Sequence, residues 1–237
     1  MDNRRTRRRN VRRFIAYSIV IAIALLTAAA IWCVYQWQHT PQYWTDNQTF
    51  LQSQTEQEIN QIAMDAENQV LNLLSLSVQT DGSAQEPVEK QLSLNTHQIN
   101  AWLNQRLPAW SSHQNFELPP EIKNVMIHTE NGRIAAAFEY NKNDMHKVFT
   151  LVFDVTMISK GKAMFHLTQL RGGSLPAKPS WLINNFNDST LKKLATEIIQ
   201  GKIMELKFPH PADDRRTIMI NKLTIHNNGI IADVLTQ

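Results

Sequence analysis

Between Lys147 and Ile158 apolar residues recur at every second position, a period that suits an extended strand. Phe149, Leu151, Phe153, Val155 and Met157 fall on one side. Val148, Thr150, Val152, Asp154, Thr156 and Ile158 fall on the other, since successive strand side chains point to opposite faces. The first face is wholly apolar and has to be covered; the second is mixed. Neighbouring segments share the pattern. EIKNVMIHT and RIAAAFEY are joined by Glu130-Asn131-Gly132, and Asn-Gly between alternating runs signals a tight hairpin because both residues tolerate positive φ. Turns at Asn141–His146 and Ser159–Lys162 then lead to Ala163–Leu170, so a four-stranded antiparallel meander is predicted. In its second strand Ile134, Ala136, Phe138 and Tyr140 oppose Ala135, Ala137 and Glu139, and the small alanines leave room for a helix or a ligand to approach.

A cover for the apolar face follows in sequence. LRGGSLPAKP interrupts the sheet, and Trp181, Leu182, Ile183, Phe186, Leu191, Leu194, Ile198 and Met204 then mark a long helix whose weak point is Gly201. Two strands, Thr217–His226 and Ile230–Leu235, close the chain around an Asn-Asn-Gly turn. Ahead of the meander, QLSL reads as a strand, Asn95 with Gln98 as a capping box, and Ile99, Trp102, Leu103 and Leu107 as a helical stripe closed by Pro108. Residues 80–89 form a linker. Before it, Ile59, Ile62, Ala63, Ala66, Val70, Leu73 and Leu74 lie on one face of a helix that begins before Phe50 and ends near Val78. That helix could be a stalk, a coiled-coil seam or a lid.

The amino end is of another character. Seven arginines lie between Arg4 and Arg13, and Phe14–Tyr35 follows as 22 residues without charge, Pro or Gly. A helix of that length would measure roughly 33 Å, enough for a hydrocarbon core. The aromatic residues at its far end, Trp32, Tyr35 and Trp37, with Tyr43 and Trp44 a little beyond, suit a headgroup belt. The arginines then act as an orientation signal that keeps the tail on the cytoplasmic side. Removing that tail leaves 17 basic and 20 acidic side chains, so the body is slightly acidic and lacks the bias of a nucleic-acid-binding domain. The sole cysteine, Cys33, lies in the apolar run, which rules out a disulfide within the body.

The expected organisation is a basic cytoplasmic tail (1–13), a transmembrane helix (14–35), a stalk (36–79), a linker (80–89) and an extracytoplasmic domain (90–237). The fold class is α+β: transmembrane helix, stalk helix, then a curved antiparallel sheet packed on a long helix. Such a protein passes once through the cytoplasmic membrane with its domain outside.

Catalytic patterns are missing. No two of the eight histidines have the four-residue spacing of a helical zinc site, and neither a nucleophile elbow nor a phosphate-binding glycine loop occurs. No enzyme, metal or cofactor is expected. His128 and His166 sit within strands and read first as edge or surface residues. The sequons at Asn47 and Asn187 would matter only in a glycosylating host.

The order of elements resembles the tubular lipid-binding (TULIP-like) superfamily in its single-module form. The likeness is carried by KQLSLNTHQINAWLNQRLP, with Leu94, Ile99, Asn100 and Leu103 in place, by the meander, and by RGGSLPAKPSWLINNF. It implies a curved sheet wrapped on a helix, sometimes with a groove for acyl chains, and no catalytic residues. Two functions are in view. One is a membrane-anchored module for lipid or another apolar ligand, with Phe138, Phe149, Leu151, Phe153, Trp181 and Phe186 as groove walls. The other is an envelope scaffold with a filled core that meets a protein partner through Ile59, Ile62, Val70 and Leu73.

Overall fold

The Asn131-Gly132 pair does turn the chain: both residues have positive φ, 50° and 75°. The computed structural model describes residues 21, 23–75, 88–113, 119–142, 145–178, 184, 196–197, 199–210 and 213–236. On either side of that turn run β2 (Ile122–Glu130) and β3 (Arg133–Lys142), followed by β4 (Met145–Ser159) and β5 (Lys162–Gly172). They form the expected meander, in the order β2-β3-β4-β5. Phe138 pairs with Phe149 and Ala136 with Leu151 across β3 and β4, which gathers the apolar residues on one face. The α+β class and the curved antiparallel sheet are both found.

The carboxyl-terminal strands join a second sheet. β1 (Val88–Asn95), β10 (Gly229–Thr236), β9 (Asp213–His226) and β8 (Lys207–His210) lie side by side in that order. The link between the sheets overturns part of the long helix. Ile199 does reach the apolar face of the meander. Gly201, however, adopts φ +89°, a conformation no helix contains. Lys202–Glu205 then pairs with β5 as strand β7, beyond the short β6 (Leu175–Ala177). Leu206 carries the chain onward to β8, its N–H donating to the Gly161 carbonyl and its own carbonyl accepting from the Ile220 N–H.

The expected transmembrane helix is not found: among the described residues no helix is long and apolar enough to cross a membrane. Residues 14–20 lie outside the described part. What is described is a helix over residues 23–38, here α1, about 24 Å long. Its last turn carries Gln36 and Gln38 and ends against the sheet. Of the aromatic residues taken for a headgroup belt, Trp37, Tyr43 and Trp44 pack on the sheet instead, while Trp32 and Tyr35 are exposed on α1. Trp37 meets Phe149 edge-on with ring centroids 6.2 Å apart. Trp44 is buried against Met126, Ala137 and Val148.

The helix expected from before Phe50 to Val78 is two helices, α2 (Gln42–Ser53) and α3 (Glu56–Ser75). A capping box divides them. The Thr55 N–H donates to Glu58 Oε2 at 2.7 Å and the Glu58 N–H to Thr55 Oγ1 at 3.3 Å. α2 packs on the mixed face of the meander, where Trp44 lies against the small Ala137. α3 turns its stripe inward: Ile59 and Ala63 pack on Ala101 of α4 (Thr96–His113), and Leu73 packs on Ala232 and Val234 of β10. The capping box at the start of α4 is present, with Asn95 N–H to Gln98 Oε1 at 3.0 Å and Gln98 N–H to Asn95 Oδ1 at 2.9 Å. Pro108 does not close this helix, which continues to His113; a proline removes one ladder hydrogen bond, and the turns on either side can persist around it.

Candidate functional site at the foot of the first helix

The chain leaves α1 by crossing the end of the meander. Trp37 lies on the face of Phe149, and Trp44 on the face of the adjacent Val148. Two tryptophans seven positions apart therefore clasp the sheet end from both sides. The landing site is Gly172-Gly173. Ser174 N–H donates to the Gln36 carbonyl at 3.2 Å, and Gly173 N–H to the Val148 carbonyl at 2.8 Å. A Cβ on Gly172 would come 2.5 Å from the Trp37 ring, and one on Gly173 2.6 Å from the Trp37 carbonyl oxygen. In sequence these glycines read as a break in the sheet; in the fold they are the seat of α1. Gly173 has φ +59° and Gly132 φ +75°, but nothing lies within 4 Å of a Cβ on Gly132. Gly132→Ala is therefore expected to cost only the left-handed backbone penalty, about 1–2 kcal/mol. Gly173→Ala adds the clash, and should lower the melting temperature further and open residues 36–40 to limited proteolysis.

Beside this crossing is a cavity of about 290 Å³, at the small end of the roughly 300–1,000 Å³ of small-molecule pockets. Trp37, His39, Trp44, Glu139, His146 and Lys147 are among the residues that line it. Its lining is organised by a β-bulge. The β2–β3 register slips between Lys123 and Met126, and Asn124 takes φ 50°, which Asn tolerates better than most residues. Bulges of this kind re-aim side chains. Here Asn124 Nδ2 donates to Glu139 Oε2 at 2.7 Å, and Asn141 Nδ2 to Oε1 at 3.2 Å. His146 Nδ1 is 2.6 Å from Asn141 Oδ1. Lys147 Nζ stands over the Trp37 ring, 6.0 Å from its centroid. Neither Glu139 nor Lys147 forms an ion pair among the described residues.

A second polar group sits under α2. Tyr43 stacks on His128 with centroids 4.7 Å apart and planes 7° apart, and its hydroxyl meets Thr150 Oγ1. Arg171 and Glu130 pair at 2.6 Å nearby. Burial raises the Tyr43 pKa above its ordinary value, so the hydroxyl stays protonated. Burial likewise lowers the pKa of His128, with Glu130 opposing and Arg171 reinforcing. The unfolded imidazole takes up its proton near 6.5, and the folded one only at lower pH. The unfolded state thus binds more protons in that window, and stability falls as pH drops from 6.5 toward the folded value. Melting temperatures at pH 7.5 and 5.5 should differ less in His128→Phe than in the wild type.

The sequence-predicted groove walls divide. Phe149 is 0% exposed and Phe138 7%, both packed in one core cluster with Tyr140, Leu167 and Leu170. Leu151 and Phe153 are partly buried against the same cluster. Trp181 and Phe186 lie outside the described residues. Of the suggested partner stripe, Ile59 and Leu73 are buried in the chain's own core, and Ile62 and Val70 are partly buried. Asn47, the first residue of a sequon, is buried and accepts a hydrogen bond from Asn100. Among the described residues no group of His, Cys, Asp and Glu is arranged to hold a metal. Compared with protein-family models, curated proteins and solved structures, the chain matches none.

Proposed function

We propose that this protein is a non-enzymatic scaffold held at a membrane surface, with α1 as an apolar arm and a packed domain mounted on it. The observation that carries the reading is Phe149. The residue best placed to wall an acyl groove has no exposed surface, and Phe138, Tyr140 and Trp37 close around it. The arm supports the membrane part. Leu25, Leu26, Ile31 and Trp32 are between 58% and 71% exposed, an apolar surface next to a tail of seven arginines, and basic residues close to anionic lipid contribute about 1 kcal/mol each. The seat on Gly172-Gly173 supports the scaffold part, because it fixes the foot of the arm on the sheet.

A second reading, a module for an apolar ligand, draws on Leu151 and Phe153, which are only partly buried on the same face. Titration with a fluorescent fatty acid separates the two. The scaffold takes up none in a saturable way, whereas saturable uptake that Leu151→Asp abolishes would establish the second reading. Flotation tests the arm: full-length protein rises with anionic vesicles, and Leu25→Asn/Leu26→Asn/Ile31→Asn stays at the bottom of the gradient.

A further inference from the structure

The strand register sorts the lining of the cavity at the foot of α1 by face. Glu139 opposes Val148 and Asn141 opposes His146 across β3 and β4, so these four share the mixed face, on which Trp44 is buried. Lys147, opposite Tyr140, belongs to the other face and plays no part. On the mixed face three contacts run in series. Asn124 Nδ2 donates to Glu139 Oε2 at 2.7 Å, Asn141 Nδ2 donates to Oε1 at 3.2 Å, and Asn141 Oδ1 lies 2.6 Å from His146 Nδ1. An amide oxygen can only accept, so His146 carries its proton on Nδ1 and keeps a lone pair on Nε2. Among the described residues nothing bonds that Nε2, and no cation pairs with Glu139. Lys123 faces Glu139 in the register but is exposed and forms no ion pair with it. Each carboxylate oxygen accepts one amide hydrogen and retains a lone pair. A partly buried carboxylate is thus fixed in place before any ligand arrives, and it and the neighbouring imidazole can both still accept.

We infer that this cavity binds the ammonium of a small primary amine, with Glu139 as its counter-ion and His146 Nε2 as a second acceptor. One negative charge without a partner calls for one positive charge, and acceptors without donors call for N–H groups. A quaternary ammonium supplies the charge but no N–H. A bare metal ion needs more ligands than one carboxylate and one imidazole, and no group of His, Cys, Asp and Glu among the described residues is arranged to hold one. Trp44 lines the cavity on the same face, and an indole ring favours an organic cation beside it. A free amine and a lipid headgroup can both end in this group. The site stands whether or not α1 enters lipid.

Full-length protein is titrated with the chlorides of ethanolamine, choline, potassium and guanidinium at matched ionic strength, and binding is read by tryptophan emission. In a second arm it is floated with vesicles of phosphatidylcholine, with and without phosphatidylethanolamine. Wild type should prefer the primary ammonium to the quaternary one about tenfold, the scale of one hydrogen bond to a charged group. Glu139→Gln should erase that preference. His146→Phe, at an exposed position, should weaken ethanolamine binding about fivefold, the scale of a neutral hydrogen bond, and it keeps the test open if Glu139→Gln fails to fold. A preference seen with free ethanolamine identifies a soluble amine as sufficient; one seen only with vesicles identifies a lipid headgroup. Equal binding of ethanolamine and choline, a preference that survives Glu139→Gln, or no response in either arm overturns the proposal. Potassium or guanidinium bound as tightly as ethanolamine overturns the assignment to an amine. Vesicles that float wild type and Glu139→Gln alike, without preference, leave the membrane reading standing and overturn the amine site alone.

Discussion

Phe149→Ala is expected to lower the stability of the folded chain by about 3–5 kcal/mol, the range for deleting a buried phenyl ring. The ring sits between Phe138 and Tyr140, with centroid separations of 6.0 Å to each, and Trp37 closes over it. Three aromatic neighbours on a sheet cannot all collapse into the space it leaves, and a cavity that fails to collapse puts the cost toward the upper end. Urea denaturation followed by tryptophan fluorescence measures the loss. The variant also tests which function holds. In a packed core the truncation destabilises and creates no ligand affinity. In a groove wall it would change stability little and alter fatty-acid uptake.

Asn100→Ala is the second large effect, and its cause is polar. Asn100 is 3% exposed and acts as a substitute strand beside the edge of the meander. Its Oδ1 accepts from the Ile127 N–H at 2.7 Å, and its Nδ2 donates to the Ile127 carbonyl at 2.9 Å and to Asn47 Oδ1 at 3.0 Å. Alanine leaves three groups without partners in a largely dry site, each costing about 1–3 kcal/mol if nothing relaxes. Water reaching the edge strand reduces that sum, so a net loss of about 3 kcal/mol is expected. Amide exchange should show the Ile127 N–H losing protection ahead of its neighbours. In a double-mutant cycle Asn47→Ala should add little once Asn100 is gone, because the two side chains share one hydrogen bond.

What could be read from the chain follows from how local each signal is. The Asn131-Gly132 turn, the alternation of β4 and the Asn95–Gln98 box are complete within a few residues, and all three stand in the fold. Gly201 was visible as a weak point, but helix against strand there depends on β5 offering an open edge to Lys202–Glu205. Trp37, Tyr43 and Trp44 were misplaced for the same reason. An aromatic residue after an apolar run fits a headgroup zone as well as a core, and the partners that decide, Phe149, Thr150 and Val148, lie more than a hundred positions away. The cavity left little local pattern: His39, Asn124, Glu139, Lys147 and Gly173 line it only because the chain crosses the sheet end. Its one hint was the Lys-Asn within β2, where an asparagine interrupts the alternation.

The sole cysteine supplies the most direct test of the membrane reading. Cys33 is exposed on α1 between Trp32 and Val34, so a nitroxide attached there reports the arm's surroundings in otherwise unaltered protein. With full-length protein on anionic vesicles, power saturation should show high accessibility to oxygen and low accessibility to a nickel chelate, the pattern of a label in lipid. A label as open to nickel in the presence of vesicles as in buffer would contradict the account.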